Sequence, residues 1–317
     1  MKLGLLLPGQ GAQEVGMGAD FVQQSTAAAD LFRTADEVLG LPLSQICFEG
    51  PSEELTRTDV AQPAIYVCSL AALAAFEEVV GSIEPVMAAG LSLGEYTALA
   101  AAGALSFADG LRLVRLRGEA MQAASLAKPS SMTSVMGMEV PALEALCAEV
   151  AAETGKICQV ANINSPGQIV VSGEIAALDV FDGRAKDAGA RRAIRLTVAG
   201  AFHSEVMRPA ADKLQLALEE TEFRAPVCPV WQNATAAPSS DPVELKKQLA
   251  AQLTAPVRWD ESYRAMATEL ESDIAFLEPA PGRVLAGLAR KIAPGRTIHS
   301  LPKADALESL KTELAPT

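Results

Sequence analysis

Residues 90–94, Gly-Leu-Ser-Leu-Gly, form a Gly-x-Ser-x-Gly pentapeptide with Ser92 at its centre. In a nucleophile elbow this serine sits on a strained strand-to-helix turn, and small flanking residues let the chain fold back sharply. An apolar run at 84–89 predicts a strand before the pentapeptide, and an alanine-rich run at 95–102 predicts a helix after it. This order makes Ser92 a candidate nucleophile. A serine that only caps the following helix is the alternative.

A nucleophilic serine needs a base, and the chain contains only two histidines, His203 and His299. His203 lies in a Gly-Ala-Phe-His-Ser loop before a predicted amphipathic helix, whereas His299 has no motif around it. His203 is therefore the candidate general base, with a purely structural histidine as the alternative. Two histidines cannot form a His-rich metal site, and no metal is expected.

A buried arginine is predicted on the helix that begins after Ser106, which with Asp109 resembles a capping box, and ends near residue 124. At about 100° per residue, Arg117 is the only charge in the apolar arc of this helix. A guanidinium that faces a core must find an anion, because an unpaired buried charge is strongly unfavourable. A ligand could supply that anion. An internal ion pair with a buried Asp or Glu, or a side chain that reaches solvent, are the alternatives.

A glycine-containing loop, Pro8–Gln13, follows a predicted strand at Lys2–Leu7. Such a loop lets the backbone approach a ligand and point its N–H groups at an anion. Its spacing is neither that of a Walker loop nor that of a dinucleotide fingerprint. A plain strand-to-helix turn is the simpler interpretation of this loop taken alone.

The composition sets bounds on the whole chain. Its 317 residues suffice for one large domain and a smaller one, and half of them are apolar. The net charge of −13 argues against nucleic acid and anionic membranes as partners. Neither a membrane-spanning helix nor a signal peptide is expected. Five scattered cysteines without a Cys-x-x-Cys pair predict reduced core thiols in a cytoplasmic protein.

The elements that must position these side chains fall into two groups. Residues 128–198 begin with a linker and then predict strands and helices in the order βαββαβ, which is the ferredoxin-like pattern. The predicted ranges are strands at 133–139, 157–163, 168–172 and 191–198 and helices at 141–154 and 174–188. Elsewhere, helices are predicted at 19–39, at 62–79 and from Asp241 to about Gln252, and a strand at 274–278. The block at 128–198 therefore reads as a small domain inserted into a larger one.

These motifs together resemble the malonyl-CoA:acyl-carrier-protein transacylases over nearly the whole chain. The motifs are Pro8-Gly-Gln-Gly-Ala-Gln13, Gly90-Leu-Ser-Leu-Gly-Glu-Tyr96, Arg117 in Leu-Arg-Gly-Glu-Ala-Met-Gln, Asn162-Ile-Asn-Ser-Pro-Gly-Gln168, Gly200-Ala-Phe-His-Ser204, and Gln252 before Thr-Ala-Pro-Val-Arg-Trp. The chain departs from the family at Leu91, where many members have His, and at Glu278-Pro-Ala-Pro-Gly282. Neither departure touches the reacting groups.

The resemblance implies a fold and a reaction. The fold would be α/β, with an α/β-hydrolase-like core at 1–127 and 199–317, an inserted ferredoxin-like subdomain at 128–198, and the active site in the cleft between them. The reaction would move malonyl from CoA to the phosphopantetheine thiol of acyl carrier protein by a ping-pong mechanism. Malonyl-CoA and acyl carrier protein would be the partners, and no cofactor would be needed, because the CoA thioester is the substrate.

The resemblance also assigns residues. Ser92 would be the nucleophile and His203 the general base and later the acid. The backbone carbonyl of Gln252 would orient the imidazole, and Arg117 would bind the malonyl carboxylate. The remaining assignments are an oxyanion hole from the N–H groups of Gln10 and Leu93, and substrate or pantetheine contacts from Asn162 and Phe202.

Two other classes stay open on the sequence. A serine hydrolase or thioesterase would place an acid between Ser92 and His203, and Asp179 and Asp187 are available there. A non-catalytic docking module for carrier protein is the second alternative. For docking of an acidic carrier, the densest basic patch is Arg184, Lys186, Arg191, Arg192 and Arg195, with an ordinary solvated surface as the alternative.

Overall fold

The computed structural model describes residues 1–314. The strands of this part are β1 (Lys2–Leu7), β2 (Glu84–Gly90), β3 (Ser130–Met136), β4 (Cys158–Ser165), β5 (Gln168–Glu174), β6 (Arg192–Arg195), β7 (Val230–Gln232), β8 (Ala237–Ser239), β9 (Ala275–Pro279) and β10 (Ile298–Leu301). The α-helices are α1 (Ala19–Gln24), α2 (Thr26–Leu39), α3 (Leu43–Glu49), α4 (Ser52–Leu55), α5 (Thr58–Val79), α6 (Gly94–Ala101), α7 (Phe107–Ala127), α8 (Val140–Thr154), α9 (Ile175–Ala185), α10 (Arg208–Glu220), α11 (Pro242–Ala251), α12 (Trp259–Glu269), α13 (Val284–Ile292) and α14 (Ala306–Glu313). The protein is thus a mixed α/β structure.

A six-stranded sheet in the order β10-β9-β1-β2-β7-β8 forms the larger layer, and only the β7–β8 pair is antiparallel. In the parallel register Leu7 is opposite Gly90, so β1 and β2 end at the same edge. Ligands of parallel α/β sheets bind at the carboxyl ends of the strands. The loop after β1 and the Ser92 turn after β2 are therefore neighbours.

A four-stranded antiparallel sheet in the order β4-β5-β3-β6 forms the smaller layer. Helices α8 and α9 pack on it, and the apolar side chains between them form a separate core. The order βαββαβ is confirmed for these elements, but the linker is shorter than expected, because β3 already begins at Ser130. β6 ends at Arg195, although Leu196 N–H still donates to the carbonyl of Met132 on β3, and residues 196–199 line a cavity. The division of the chain at residues 128 and 198 stays a prediction.

The two sheets are linked through one short stretch of backbone. Val257 N–H donates to the carbonyl of Ala161, and Ile163 N–H donates to the carbonyl of Val257, both at 2.8 Å. These bonds attach β4 to the segment just before α12. They fix the antiparallel sheet beside the carboxyl edge of the parallel one.

Helix α5 runs through the centre of the larger layer. It is long and apolar enough to cross a membrane, with a mean hydropathy of 1.4, but 89% of the relevant window is buried inside the protein. It begins at Thr58, before the predicted residue 62, and it tolerates Pro63. A helical proline leaves the carbonyl four residues earlier without its donor. Here that carbonyl, of Asp59, accepts from Arg115 Nη1 at 2.7 Å.

Residues 19–39 are helical as predicted, but they form two helices that meet at Ser25 and not one continuous helix. The Ser25 hydroxyl accepts from Ala28 N–H and caps the second helix. The same hydroxyl donates to Glu78 at 2.6 Å. Ser106 caps α7 by accepting from Asp109 N–H, as the sequence predicts.

Candidate active site

Ser92 lies on a sharp turn between β2 and α6, with a positive φ of 56°. A Cβ on Gly90 would overlap the backbone of Gly94, and a Cβ on Gly94 would overlap the carbonyl of Leu7. Both glycines of the pentapeptide are thus required by close backbone approach. The predicted order of strand, elbow and helix is confirmed.

Asn233, which directly follows β7, braces this turn. Its Oδ1 accepts from Ser92 N–H at 2.6 Å, and its Nδ2 donates to the carbonyl of Gly90 at 2.7 Å. A single side chain therefore bonds the backbone on both sides of Leu91. A left-handed conformation at a non-glycine residue costs about 1–3 kcal/mol and persists only where the surroundings over-determine it.

The Ser92 hydroxyl faces His203, with 2.7 Å between Oγ and Nε2. The other ring nitrogen, Nδ1, lies 2.9 Å from the backbone carbonyl of Gln252. A carbonyl can only accept, so Nδ1 carries the hydrogen and Nε2 is free to accept from the serine. His203 also has a positive φ, of 54°, and is 3% exposed.

The acids that a hydrolase triad would need lie elsewhere. Asp179 is 66% exposed at its side chain and pairs with Arg195, and Asp187 is exposed. Neither bonds His203, whose Nδ1 faces the Gln252 carbonyl instead. The imidazole is thus oriented by a neutral acceptor at the C-terminal end of α11.

Arg117 projects from α7 to the same point and is 1% exposed. Its Nη2 donates to the Ser92 hydroxyl and to Gln252 Oε1, both at 3.0 Å, and its Nη1 donates to Gln62 Oε1 at 2.8 Å. The guanidinium also lies 5.5 Å from the ring centroid of Tyr96. No carboxylate within residues 1–314 forms a direct ion pair with it, and Nε has no acceptor there. The internal ion pair considered from the sequence is therefore absent from this part of the chain.

Burial and charge set the ionisation of the imidazole. Desolvation, followed by the positive charge of Arg117, lowers the pKa of His203 from its ordinary value of 6.5 to about 4. The ring is therefore neutral at pH 7, which is the form that can accept a proton from Ser92. Burial also lowers the pKa of Arg117, but a guanidinium stays charged in proteins.

Glu95 and Gln252 form a buried polar layer beneath these groups. Gln252 Nε2 donates to the Ser92 carbonyl at 2.9 Å and to Glu95 Oε2 at 2.8 Å. Glu95 Oε2 also accepts from Asn233 N–H at 2.9 Å. Sequence reasoning missed the roles of Gln62, Glu95 and Asn233. The position of Asn233 at the carboxyl end of a short apolar strand was the one available signal.

A cavity of about 610 Å³ opens above Ser92. Of the residues proposed from the sequence, Gln10, Asn162 and Phe202 line it together with Ser92 and His203. Other lining residues come from several segments of both layers: Gly11, Gln13, Glu53, Thr56, Arg57, Thr58, Leu91, Met121, Gln122, Met132, Asn164, Val170, Leu196, Thr197, Val198 and Ala199. The cavity thus lies between the two sheets, with the reactive groups on its floor.

The two proposed oxyanion donors are backbone groups near this floor. Leu93 is fully buried and does not line the cavity, but its N–H stands immediately before α6. Within residues 1–314 neither Gln10 N–H nor Leu93 N–H has an acceptor. Both groups therefore have no internal partner in this part of the chain, and their role as oxyanion donors stays a prediction. In the same part of the chain no group of three His, Cys, Asp or Glu side chains could hold a metal ion.

Comparisons with known proteins agree on one family. The acyl transferase domain family matches residues 5–300. The malonyl CoA-acyl carrier protein transacylase of Bacillus subtilis (strain 168) is 42% identical over 318 residues, which cover 98% of each chain. That of Escherichia coli (strain K12) is 36% identical over 306 residues, with 96% of this chain and 97% of the relative covered.

Solved structures give the same answer. The acyl-carrier-protein-S-malonyltransferase of Bartonella henselae superposes with a TM-score of 0.93 at 38% identity and covers both chains completely. A malonyl-transacylase solved in complex with a type II PKS acyl-carrier protein superposes with a TM-score of 0.92 at 35% identity, covering 99% of this chain and 100% of that one. On this likeness over essentially its full length, the chain belongs to the acyl transferase domain family and, within it, to the malonyl CoA-acyl carrier protein transacylases.

Proposed function

We propose that this protein transfers malonyl from malonyl-CoA to the phosphopantetheine thiol of acyl carrier protein through a malonyl ester of Ser92. The observation that carries the proposal is the meeting of His203 Nε2 and Arg117 Nη2 on one oxygen, Ser92 Oγ, at 2.7 and 3.0 Å. His203 can activate that oxygen as a base, and the buried guanidinium of Arg117 lies where it can bind the carboxylate of a substrate. Plain ester hydrolysis has no need of the buried cation.

In the first half-reaction His203 takes the proton of Ser92 as Oγ attacks the thioester carbonyl. The N–H groups of Gln10 and Leu93 bind the oxygen that becomes negative, the second of them helped by the N-terminus of α6. Collapse of the tetrahedral intermediate breaks the carbon–sulfur bond. The leaving thiolate takes its proton from His203, which restores the neutral imidazole.

The second half-reaction reverses these steps with a different thiol. His203 removes the proton of the phosphopantetheine thiol, the thiolate attacks the malonyl ester, and Ser92 leaves and recovers its proton from His203. The Gln252 carbonyl keeps the imidazole in the required tautomer throughout. Because CoA is a substrate, we propose no cofactor for either step.

Arg117 supplies the specificity for a dicarboxylic acyl group. A guanidinium binds a carboxylate through two parallel N–H bonds, and Nη1 and Nη2 are fixed here by Gln62 and Gln252. The arriving carboxylate replaces the Ser92 hydroxyl as a partner of Nη2. That exchange releases Oγ for attack at the moment when the substrate is in place. Asn162 and Phe202 would contact the acyl group or pantetheine from the cavity wall.

The fold assignment proposed with this function is an α/β-hydrolase-like core at 1–127 and 199–317 with a ferredoxin-like subdomain at 128–198. The strand order β4-β5-β3-β6 and the separate apolar core of the small layer support it. We further propose a cytoplasmic location with reduced cysteines, and a role in type II fatty acid synthesis, with polyketide synthesis as the alternative. Nucleic acid and membranes are not proposed as partners, in keeping with the net charge of −13.

The test is mass spectrometry of the intact protein after brief exposure to malonyl-CoA. The expected result is a malonyl adduct on Ser92 that disappears when acyl carrier protein with its phosphopantetheine arm is added. A thioesterase would release free malonate at full rate without the carrier. A docking module would form no adduct and would not react with a serine-directed fluorophosphonate.

A further inference from the structure

Glu95 is a fully buried carboxylate that the proposed reaction does not use. It lies in the first turn of α6, three residues after Ser92. Both of its hydrogen bonds arrive at one oxygen, Oε2, from Gln252 Nε2 at 2.8 Å and from Asn233 N–H at 2.9 Å. The second oxygen, Oε1, has no partner within residues 1–314. Burial of a carboxylate with one oxygen unpartnered is energetically unfavourable, so we expect Glu95 to have a role at this position.

The neighbours of Gln252 fix which way its side-chain amide faces. On one side stand two acceptors, Glu95 Oε2 and the Ser92 carbonyl, and on the other stands Arg117 Nη2, which can only donate. The amide nitrogen must therefore face Glu95 and the amide oxygen must face Arg117. A rotated amide would place its N–H₂ against the guanidinium, donor against donor. Glu95 supplies one of the two acceptors that exclude that arrangement.

The chain of bonds runs from Glu95 through Gln252 to Arg117. We propose that Glu95 is a positioning residue for the acyl carboxylate: it holds the Gln252 amide oxygen toward Arg117 and thereby fixes Nη2 where the carboxylate is bound. This inference rests on the proposed role of Arg117. The effect depends on an acceptor oxygen at the position of Oε2. The length of the side chain, which we call its reach, therefore matters more than its charge.

Two substitutions separate reach from charge. Glu95→Gln keeps an oxygen at the position of Oε2 and removes the charge, whereas Glu95→Asp keeps the charge but is one methylene too short to meet both donors. Burial raises the pKa of Glu95 to about 7, so the wild-type protein already tolerates a neutral side chain here. Glu95→Gln should therefore resemble the wild type more closely than Glu95→Asp does.

The chain also contains a matched control. Glu278 is equally buried, its pKa is likewise raised to about 7 by burial, and it accepts two backbone N–H bonds, from Leu285 and Ala286, at 2.7 and 2.8 Å. It does not line the cavity, and its hydrogen bonds go to the start of α13. Glu278→Asp measures the cost of shortening a buried carboxylate outside the site.

The experiment measures two rates in each folded variant: acylation of Ser92 by malonyl-CoA and labelling of Ser92 by a fluorophosphonate, which carries no carboxylate. A misplacement of about 1 Å can cost about 100-fold in rate. Glu95→Asp should therefore lower malonyl acylation by roughly 10–100-fold and labelling by less than about threefold. Glu95→Gln should lower malonyl acylation less than about fivefold, and Glu278→Asp should leave the ratio of the two rates unchanged.

Several results would overturn the inference while the wild type forms its malonyl adduct. Equal loss of both rates in Glu95→Asp would show that Glu95 only supports the elbow. If Glu95→Gln lowers the rate of acylation by malonyl-CoA as much as Glu95→Asp does, then the charge of the side chain matters and its length does not. If Glu95→Asp does not fold, the glutamine variant decides alone, and a changed ratio of rates beyond about fivefold overturns the inference. A wild-type protein that forms no adduct would instead overturn the proposed function.

Discussion

Arg117 donates a hydrogen bond of 3.0 Å from Nη2 to the Oγ of Ser92, deep beneath the cavity. The contact places a permanent positive charge beside both the nucleophile and its base. It contributes to the lowered pKa of His203. A substitution that removes the guanidinium therefore also changes the surroundings of the Ser92 oxygen.

Loss of either member of the Ser92–His203 pair should stop or slow acylation. Ser92→Ala should form no acyl-enzyme, and His203→Ala should acylate about 10²–10⁴ times more slowly, the usual worth of general base catalysis. Intact-protein mass spectrometry after a malonyl-CoA pulse measures both. His299→Ala is the control, because His299 lies on β10 beside Glu313. A His203→Ala protein that acylates at the native rate would refute the assignment.

The protonation of His203 should set the acid limit of nucleophile reactivity. As the pH falls through the lowered pKa of about 4, His203 gains a proton and can no longer act as a base. Fluorophosphonate labelling of Ser92 should therefore persist well below pH 6.5, the ordinary histidine value. In Arg117→Ala the acid limit of labelling should move to a higher pH, because one cause of the lowered His203 pKa is removed. It should stay below pH 6.5, because burial is the larger cause of the lowered pKa. A limit near pH 6.5 in the wild type would contradict the neutral buried imidazole.

The same group affects folding stability with a definite sign. In the unfolded chain His203 takes up a proton as the pH falls through about 6.5. In the folded protein it is protonated only when the pH falls to about 4. This residue therefore removes stability as the pH falls across that window. His203→Gln should be less sensitive to acid than the wild type between these values. Urea midpoints at pH 7 and pH 5 measure the difference, and equal sensitivity in both proteins would rule out the shift.

Arg117 should separate malonyl from acetyl substrates. Arg117→Ala should cost roughly 2–5 kcal/mol in kcat/KM for malonyl-CoA, because the buried carboxylate loses its partner. For acetyl-CoA the same change should be neutral or favourable, since an unpaired buried charge is removed. Arg117→Lys should rescue only in part, because a point charge lacks the planar fork. Equal losses for both substrates would mean that Arg117 supports the fold or the CoA moiety instead.

The backbone strain at Ser92 should appear as a stability difference between two inactive variants. Ser92→Gly and Ser92→Ala lose the same side-chain bonds, but only glycine adopts a φ of 56° without steric cost. The glycine variant should be more stable by about 1 kcal/mol, despite the greater freedom of its unfolded chain. Denaturant midpoints decide the comparison. An alanine variant of equal or greater stability would show that the turn relaxes when the hydroxyl is removed.

Carrier-protein docking should depend on Arg191 and Arg192. Of the five basic residues proposed from the sequence, Arg184 pairs with Glu153 and Arg195 pairs with Asp179 and Asp182, so much of that patch is neutralised. Arg191 and Arg192 are exposed. Their reversal to Glu should raise KM for carrier protein in a salt-dependent way and leave KM for malonyl-CoA unchanged.

The control for docking reverses Lys213 and Lys311, which are exposed on α10 and α14. These helices contribute no residue to the cavity wall. The control should carry the same change of net charge without the rise in KM. If it raises KM for carrier protein equally, long-range charge and not a local surface accounts for the effect.

Arg117 shows most clearly what can and what cannot be predicted from the sequence. Helical periodicity alone places Arg117 in the core. A buried guanidinium needs a hydrogen-bonding or anionic partner, so the periodicity also predicts that such a partner exists. Periodicity cannot name that partner, because the side chains that meet it, Gln62 and Gln252, come from segments 55 and 135 residues away. The same limit hid Asn233, which bonds Ser92 from 141 residues further along the chain.

Local signals fixed element order better than element limits. The cap at Ser106, the helix start at Asp241 and the elbow are short-range features, and the structure bears them out. The end of β6 and the break at Ser25 depend on what the chain packs against, and both differ from the prediction. The acidic partners of Arg184 and Arg195 were hidden for the same reason, since these ion pairs join different elements. The basic patch itself stays a prediction.

The attachment of β4 to Val257 bears on how the enzyme admits its substrates. An enzyme that clamps shut on a ligand needs a hinge between its halves, with few bonds across the moving boundary. Here two backbone hydrogen bonds cross that boundary directly beside Asn162, on the cavity wall. The cavity wall is therefore tied at this point to the segment that precedes α12. In the proposed reaction the pantetheine arm of CoA, the malonyl donor, and that of carrier protein, the acceptor, would enter this same cavity in turn.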